Sequence, residues 1–221
     1  MKTAVITGAN RGIGLELARA LADDYGITAV CRSSSPELEA TGARVLDGID
    51  VTQAKGIEAL KAGLEDVDID LLINNAGLLR RSSLASIEAD LDEWRAQYEV
   101  NALGPVRVTA ALEGQLQPGG KVVIITSRMG SVADNSSGGA YAYRMSKSAV
   151  NSAGVSLAHE LADREIAVGL LHPGYVRTGM TGGNGHIEAD ASAAQLVERI
   201  NEISMKTTGQ FRHANGEALP W

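Results

Sequence analysis

Residues 2–14 read Lys2-Thr3-Ala4-Val5-Ile6-Thr7-Gly8-Ala9-Asn10-Arg11-Gly12-Ile13-Gly14, an apolar run that passes straight into a glycine-rich turn and then into helical spacing. Glycine lets a backbone turn tightly and lets a pyrophosphate approach it, while a following helix offers free N–H groups and the positive end of its dipole. The spacing G-x-x-x-G-x-G is wider than the common dinucleotide fingerprint. An ordinary glycine turn would satisfy the string alone, so the strand before it and the helix after it carry the reading. Gly8, Asn10, Arg11, Gly12, Ile13 and Gly14 are expected to border a dinucleotide.

Further short apolar runs follow at residues 27–30, 44–46, 69–73, 122–125 and 166–171, separated by segments of helical spacing such as Leu15, Leu17, Ala18, Leu21 and then Ile57, Leu60, Leu64. Strands alternating with helices imply a largely parallel sheet covered on both faces, and right-handed crossovers favour a doubly wound sandwich. The expectation is an α/β, Rossmann-like, doubly wound parallel sheet of about seven strands with helices on both faces, in one domain over residues 1–221. A long helix is expected over 92–116, stopped by Pro118-Gly119-Gly120 before a strand at 121–126, and another over 141–163. Their exposed faces could pair copies in a homodimer or homotetramer, or simply cover the sheet.

Composition narrows the classes. A chain of 221 residues with 44% hydrophobic content is neither fibrous nor disordered, and a formal charge of -7 gives no electrostatic case for nucleic acid. One cysteine, Cys31, excludes an internal disulfide and a cysteine-rich zinc site, and the four histidines have no metal-ligand spacing. No window holds the roughly 18 apolar residues of a membrane span. A soluble, cytoplasmic protein with no bound metal and no membrane partner is expected.

Which dinucleotide is read from the second strand. An NAD site offers an Asp or Glu about 20 residues after the glycines, whereas this strand ends in Cys31-Arg32-Ser33-Ser34. Arg32 could pair with a 2′-phosphate, helped by Ser33 and Arg11; its plain alternative is a solvated loop residue. NADP(H), preferred over NAD(H), is the expectation. Asp50 could accept from an adenine amino group with Val51 against the ring, or Asp50 could cap the helix beginning near Gln53. Asn75, Ala76 and Gly77, after the fourth strand, could border the cofactor or form a structural turn.

Tyr143 and Lys147 stand four apart in a helix, so both can face one cleft. A tyrosine with a pKa near 10 is a poor base at neutral pH; a neighbouring ammonium and an oxidised nicotinamide would stabilise its phenolate. Tyr143 is thus a candidate general acid/base for an alcohol–carbonyl pair. Ser127 ends the fifth strand and could hold the substrate oxygen, with Ser131 a close competitor. Asn101 could use its amide to position a water toward Lys147, or could serve only helix packing. Pro173, Gly174, Val176 and Thr178 could hold the nicotinamide carboxamide. Arg128, Tyr141 and Met180 could line the outer pocket for a small carbonyl or alcohol substrate, Arg128 as an anion anchor. His172 precedes a turn and has no obvious carboxylate partner.

In their order, these landmarks resemble the short-chain dehydrogenase/reductase family: Thr7-Gly8-Ala9-Asn10-Arg11-Gly12-Ile13-Gly14, Asn74-Asn75-Ala76-Gly77, Asn101, Ser127, Tyr143-Arg144-Met145-Ser146-Lys147 and Pro173-Gly174. Gly138 to Lys147 and Leu219-Pro220-Trp221 are similar to its small carbonyl-reductase branch, which includes sniffer and C-factor proteins. The resemblance implies NAD(P)-dependent carbonyl or alcohol chemistry by an Asn-Ser-Tyr-Lys site. It also implies a nicotinamide beside Tyr143 and Lys147, with Lys147 on the ribose hydroxyls. Three extra residues between Ser127 and Tyr143 depart from the commoner pattern, and the segment from Thr178 to Gly185 is short where longer relatives carry a lid. A cofactor-sensing protein without turnover, or an epimerase or dehydratase, would use the same landmarks.

Overall fold

The computed structural model describes residues 1–80 and 82–221. Seven parallel strands form one sheet: β1 (Lys2–Thr7), β2 (Tyr25–Val30), β3 (Arg44–Leu46), β4 (Ile69–Asn74), β5 (Leu116–Ile125), β6 (Ala167–His172) and β7 (Phe211–His213). Their order is β3-β2-β1-β4-β5-β6-β7. The winding reverses between β1 and β4, and a ligand crevice opens where it does so, at the carboxyl ends of the strands.

Strand alternation feeds two apolar layers. Ala4 and Ile6 of β1 point toward α1 (Gly12–Ala20) and α7 (Ala189–Glu202), joining Leu17, Leu196 and Ile200. Val5 points the other way, into the layer of Leu60 from α3 (Ala54–Gly63), with Val108 of α5 (Gly104–Ala111) and Ala158 of α6 (Tyr141–Glu160). Each fully buried leucine or isoleucine contributes roughly 1.5–3 kcal/mol by transfer from water. On α6 a Cβ at Gly154 would stand 2.6 Å from Leu170 Cδ2, so glycine there lets this helix lie close against the sheet. That close seat carries the α6 side chains to the crevice.

Three segments differ from expectation. The helix expected over 92–116 begins earlier, as α4 (Ile87–Tyr98), passes through a π-turn at Glu99–Leu103 and ends with α5. Pro105 explains the break in pitch, because it has no N–H for the carbonyl four residues before it, that of Asn101. Pro118-Gly119-Gly120 does not precede β5 but lies inside it, where the pairing with β4 shifts register and Gly119 takes φ 78. The strand β7 has only three residues and too little alternation to stand out in the sequence. The remaining short helix, α2 (Pro36–Glu39), follows β2 and is capped by Ser35.

Candidate active site

The glycine-rich turn is built around Gly8, at φ 67, whose N–H donates to the Val30 carbonyl at 2.8 Å. A Cβ on Gly14 would run into the Gly8 carbonyl and the Asn75 amide, so the first turn of α1 can sit against β1 only with glycine there. Asn75 Nδ2 donates to Thr7 O at 3.0 Å and Gly8 O at 3.1 Å, and Thr7 Oγ1 accepts from the N–H groups of Asn75 and Ala76. Asn75 is thereby a brace of the turn.

A cavity of about 560 Å³ opens here. It is lined by Gly8, Asn10 to Gly14, Arg32, Ser33, Asp50, Val51, Asn75 to Gly77, Thr178 and Met180, all expected from sequence, and by Val30, Cys31, Ile49, Leu78, Arg80, Val100 and Gly179, which were not. Those seven have no polar spacing of their own; only the chain path brings them in. Arg11 and Arg32 are exposed and form no ion pair or side-chain hydrogen bond among the described residues. Asp50 accepts from Thr52 N and Thr52 Oγ1, at 2.9 and 2.7 Å, rather than capping α3. Burial alone would raise its carboxyl, but the two Thr52 bonds and nearby Arg32 hold it below the usual value. A glycine floor, a helix N-terminus and two unpaired guanidinium groups fit a dinucleotide phosphate.

Behind Gly77 lies the chemical end. Asn101 Oδ1 would be 3.5 Å from a Cβ on Gly77. The Asn101 amide is spent: Oδ1 accepts from Leu78 N at 2.7 Å, while Nδ2 donates to Leu78 O at 2.8 Å and Ser146 Oγ at 3.0 Å. Both amide donors are used, so the expected donation to a water is corrected; the side chain instead ties the segment after β4 to α6. Ser146 Oγ in turn donates to Tyr143 O at 2.8 Å.

Tyr143, Ser127 and Lys147 are buried together. Burial pushes the Tyr143 phenol up to about 12, against the downward pull of the neighbouring Ser127 hydroxyl. Burial pushes Lys147 down to about 8. The expected lowering of Tyr143 by Lys147 is therefore not seen: Nζ donates to Ile125 O at 2.9 Å and lies 5.8 Å from the phenol ring centre. At neutral pH the phenol is protonated, the state required of a proton donor.

Four expectations shift. Ser131 Oγ donates to the Trp221 backbone oxygen at 3.0 Å and accepts from Asp134 N at 3.0 Å, so it clasps the 211–221 segment and Ser127 is the serine beside the phenol. Arg128 is no free anion anchor, since it pairs with Asp134 at 2.7 Å and Glu217 at 2.6 Å. Tyr141 stacks on Trp94, centroids 6.0 Å apart, and lines a separate cavity with Tyr98 and Met145. Pro173 O accepts from Ser192 Oγ at 2.8 Å, Gly174 lies against Ile187, and Val176 bridges to Ile187; these three do not line the cavity, and neither do Ser127, Tyr143 and Lys147. His172 meets His213 edge-on at 4.8 Å and is pushed by burial, and then by His213, Arg128 and Lys147, down to about 3. It is neutral. Among the described residues no cluster of three or more His, Cys, Asp or Glu could hold a metal, and no helix is long and apolar enough to cross a membrane.

The sequence model of the short chain dehydrogenases matches residues 2–189. This chain belongs to the short-chain dehydrogenase family. As a short-chain dehydrogenase it is similar to 1-hydroxy-2-glutathionyl-2-methyl-3-butene dehydrogenase of Rhodococcus sp. (strain AD45), at 38% identity over the whole of both chains. Its fold matches the carbonyl reductase Sniffer of D. melanogaster at 28% identity and a TM-score of 0.91, covering all of both chains. It also matches the NADPH-bound carbonyl reductase from chicken fatty liver at 26% identity and a TM-score of 0.89, covering 100% of this chain and 99% of that one.

Proposed function

We propose that this short-chain dehydrogenase reduces a ketone or aldehyde to an alcohol with NADPH. The observation that carries the reading is Tyr143, buried and protonated, beside buried Ser127 and one helical turn from Lys147. Two unpaired guanidinium groups on the glycine-floored cavity favour a cofactor bearing a 2′-phosphate, and a relative of the same fold is an NADPH-bound carbonyl reductase.

When bound, the reduced nicotinamide supplies hydride to the carbonyl carbon. Arg11 and Arg32 would hold the 2′-phosphate, the N-terminus of α1 the pyrophosphate, and Lys147 the ribose beside Tyr143. Ser127 orients the substrate oxygen through its hydroxyl, and Tyr143 donates its phenolic proton to that oxygen as negative charge develops. Burial disfavours free phenolate, so the transfer is completed only when a cation approaches: the Lys147 ammonium is that cation once drawn from Ile125 O.

The test is a panel of small ketones, aldehydes and quinones followed by nicotinamide absorbance with NADPH and with NADH. Tyr143→Phe is expected to lower turnover by about 10²–10⁴ while NADPH binding is kept. Unchanged turnover would remove the proton-transfer role. Tight NADPH binding with no oxidation across the panel would favour a sensor, and conversion without net NADPH consumption an epimerase or dehydratase.

A further inference from the structure

The two arginines of the cleft stand on different loops. Arg11 ends the loop between β1 and α1, in extended backbone with φ -167, and Arg32 is the second residue beyond β2. Both are exposed, carry the same charge and make no salt bridge among the described residues, although Asp50 lies close enough to Arg32 to feel its charge. Nothing in either guanidinium itself holds them across one phosphate.

What ties the loops lies immediately beside each arginine. Asn10, next to Arg11, donates from Nδ2 to the backbone oxygen of Ser33, next to Arg32, at 3.0 Å. Ser35 Oγ donates back to Asn10 O at 2.8 Å. The same Ser35 hydroxyl accepts from Leu38 N at 3.2 Å and caps α2, whose Leu38 is fully buried. The link therefore runs from a helix anchored in the core, through one serine, to the loop that carries Arg11.

We infer that Asn10 and Ser35 are positioning residues for cofactor choice: they hold Arg11 and Arg32 across a single 2′-phosphate, and so set discrimination between NADPH and NADH without touching that phosphate. This rests on the NADPH reading above. A guanidinium gains most from a phosphate when its place is fixed beforehand, because the ordering of long side chains and their loops is a cost of binding. Loss of either bond should weaken binding of the phosphorylated nucleotide alone. An unphosphorylated one uses the glycine turn and the α1 N-terminus, which Asn75 and Gly8 hold independently.

The experiment is calorimetric titration of the full chain with 2′,5′-ADP and with 5′-ADP, in wild type, Asn10→Ala, Ser35→Ala, Ser35→Thr and Arg32→Ala. Wild type is expected to bind 2′,5′-ADP more tightly, and Arg32→Ala to abolish most of that ratio. Asn10→Ala and Ser35→Ala should each lower the ratio by roughly three- to tenfold, the worth of one hydrogen bond; Ser35→Ala, at a residue that does not line the cavity, should keep its 5′-ADP affinity. Ser35→Thr, which retains a capping hydroxyl, should restore it. If Arg32→Ala collapses the ratio and Asn10→Ala does not, the positioning role is overturned and the NADPH reading stands. If Asn10→Ala weakens both nucleotides equally, the bond is general scaffolding and the proposal fails. If wild type shows no preference and Arg32→Ala changes nothing, the NADPH reading itself has failed. Should Asn10→Ala not fold, the Ser35 pair decides.

Discussion

Replacing Lys147 with Met should make the protein more stable at neutral pH while removing its chemistry. The lysine is 4% exposed and its ammonium has one hydrogen-bond partner, Ile125 O. Burial brings its pKa from 10.5 to about 8, and each tenfold change in proton binding is worth about 1.4 kcal/mol. At pH 7 the charged form therefore destabilises the folded state by ~3 kcal/mol relative to the unfolded chain. Methionine has nearly the same length and carries no charge, but leaves the Ile125 carbonyl short of one donor, about 1 kcal/mol. The net expectation is a gain of ~2 kcal/mol at pH 7. The sign fixes its pH dependence: a lysine with a depressed folded pKa gives its full stability above 10.5, and loses it as pH falls through about 8. The advantage of Lys147→Met should therefore shrink from pH 7 upward and be nearly gone by about pH 10. Urea denaturation of both chains at pH 7, 8.5 and 10 reads this directly. A variant less stable than wild type at pH 7, or an advantage constant across the three values, would refute the argument that the buried charge strains the fold.

Ser127→Ala should lower turnover by about 10²–10³, the usual loss for one donor to a developing oxyanion. Ser131→Ala should leave chemistry largely intact and instead lower the melting temperature by roughly 2–4 °C for each kcal/mol lost with its bonds to Trp221 and Asp134; steady-state kinetics and calorimetry on the pair separate the two serines. Gly14→Ala should drive a Cβ into the Gly8 carbonyl, costing about 1–3 kcal/mol by overpacking. It should also weaken 5′-ADP, as titration and urea unfolding would read together.

What the sequence made legible is what short spacing encodes. The strand-turn-helix at Gly8 to Gly14, the switch from acid to Arg32 after β2, and the i,i+4 relation of Tyr143 and Lys147 are all local: the turn joins β1 to α1, Arg32 lines the cavity, and Tyr143 and Lys147 share α6. The alternatives left open were decided by partners far along the chain. Ser131 reads like Ser127 until Trp221 is found on it, and Arg128 reads as a free cation until Asp134 and Glu217 are found beside it. Asn101 likewise looked able to hold a water, but Leu78 and Ser146 take both its amide hydrogens. The π-turn had a local signal in Pro105, yet the weakly amphipathic α4 concealed where the helix began. The direction of the Tyr143 shift was missed because burial, a property of the folded whole, outweighs a lysine that bonds elsewhere.

The clasp of Trp221 has a consequence for how this protein is handled and made. Its backbone oxygen receives Ala133 N at 2.8 Å as well as Ser131 Oγ, and its ring stacks on Phe211. During synthesis every residue of the cleft and of the Tyr143 neighbourhood leaves the ribosome before this bond can close. The loop that follows Ser127 thus receives a fastening from a residue made 90 positions after Ser131. An insertion or a protease nick between Phe211 and Trp221 therefore acts on the loop after Ser127 rather than on a remote segment.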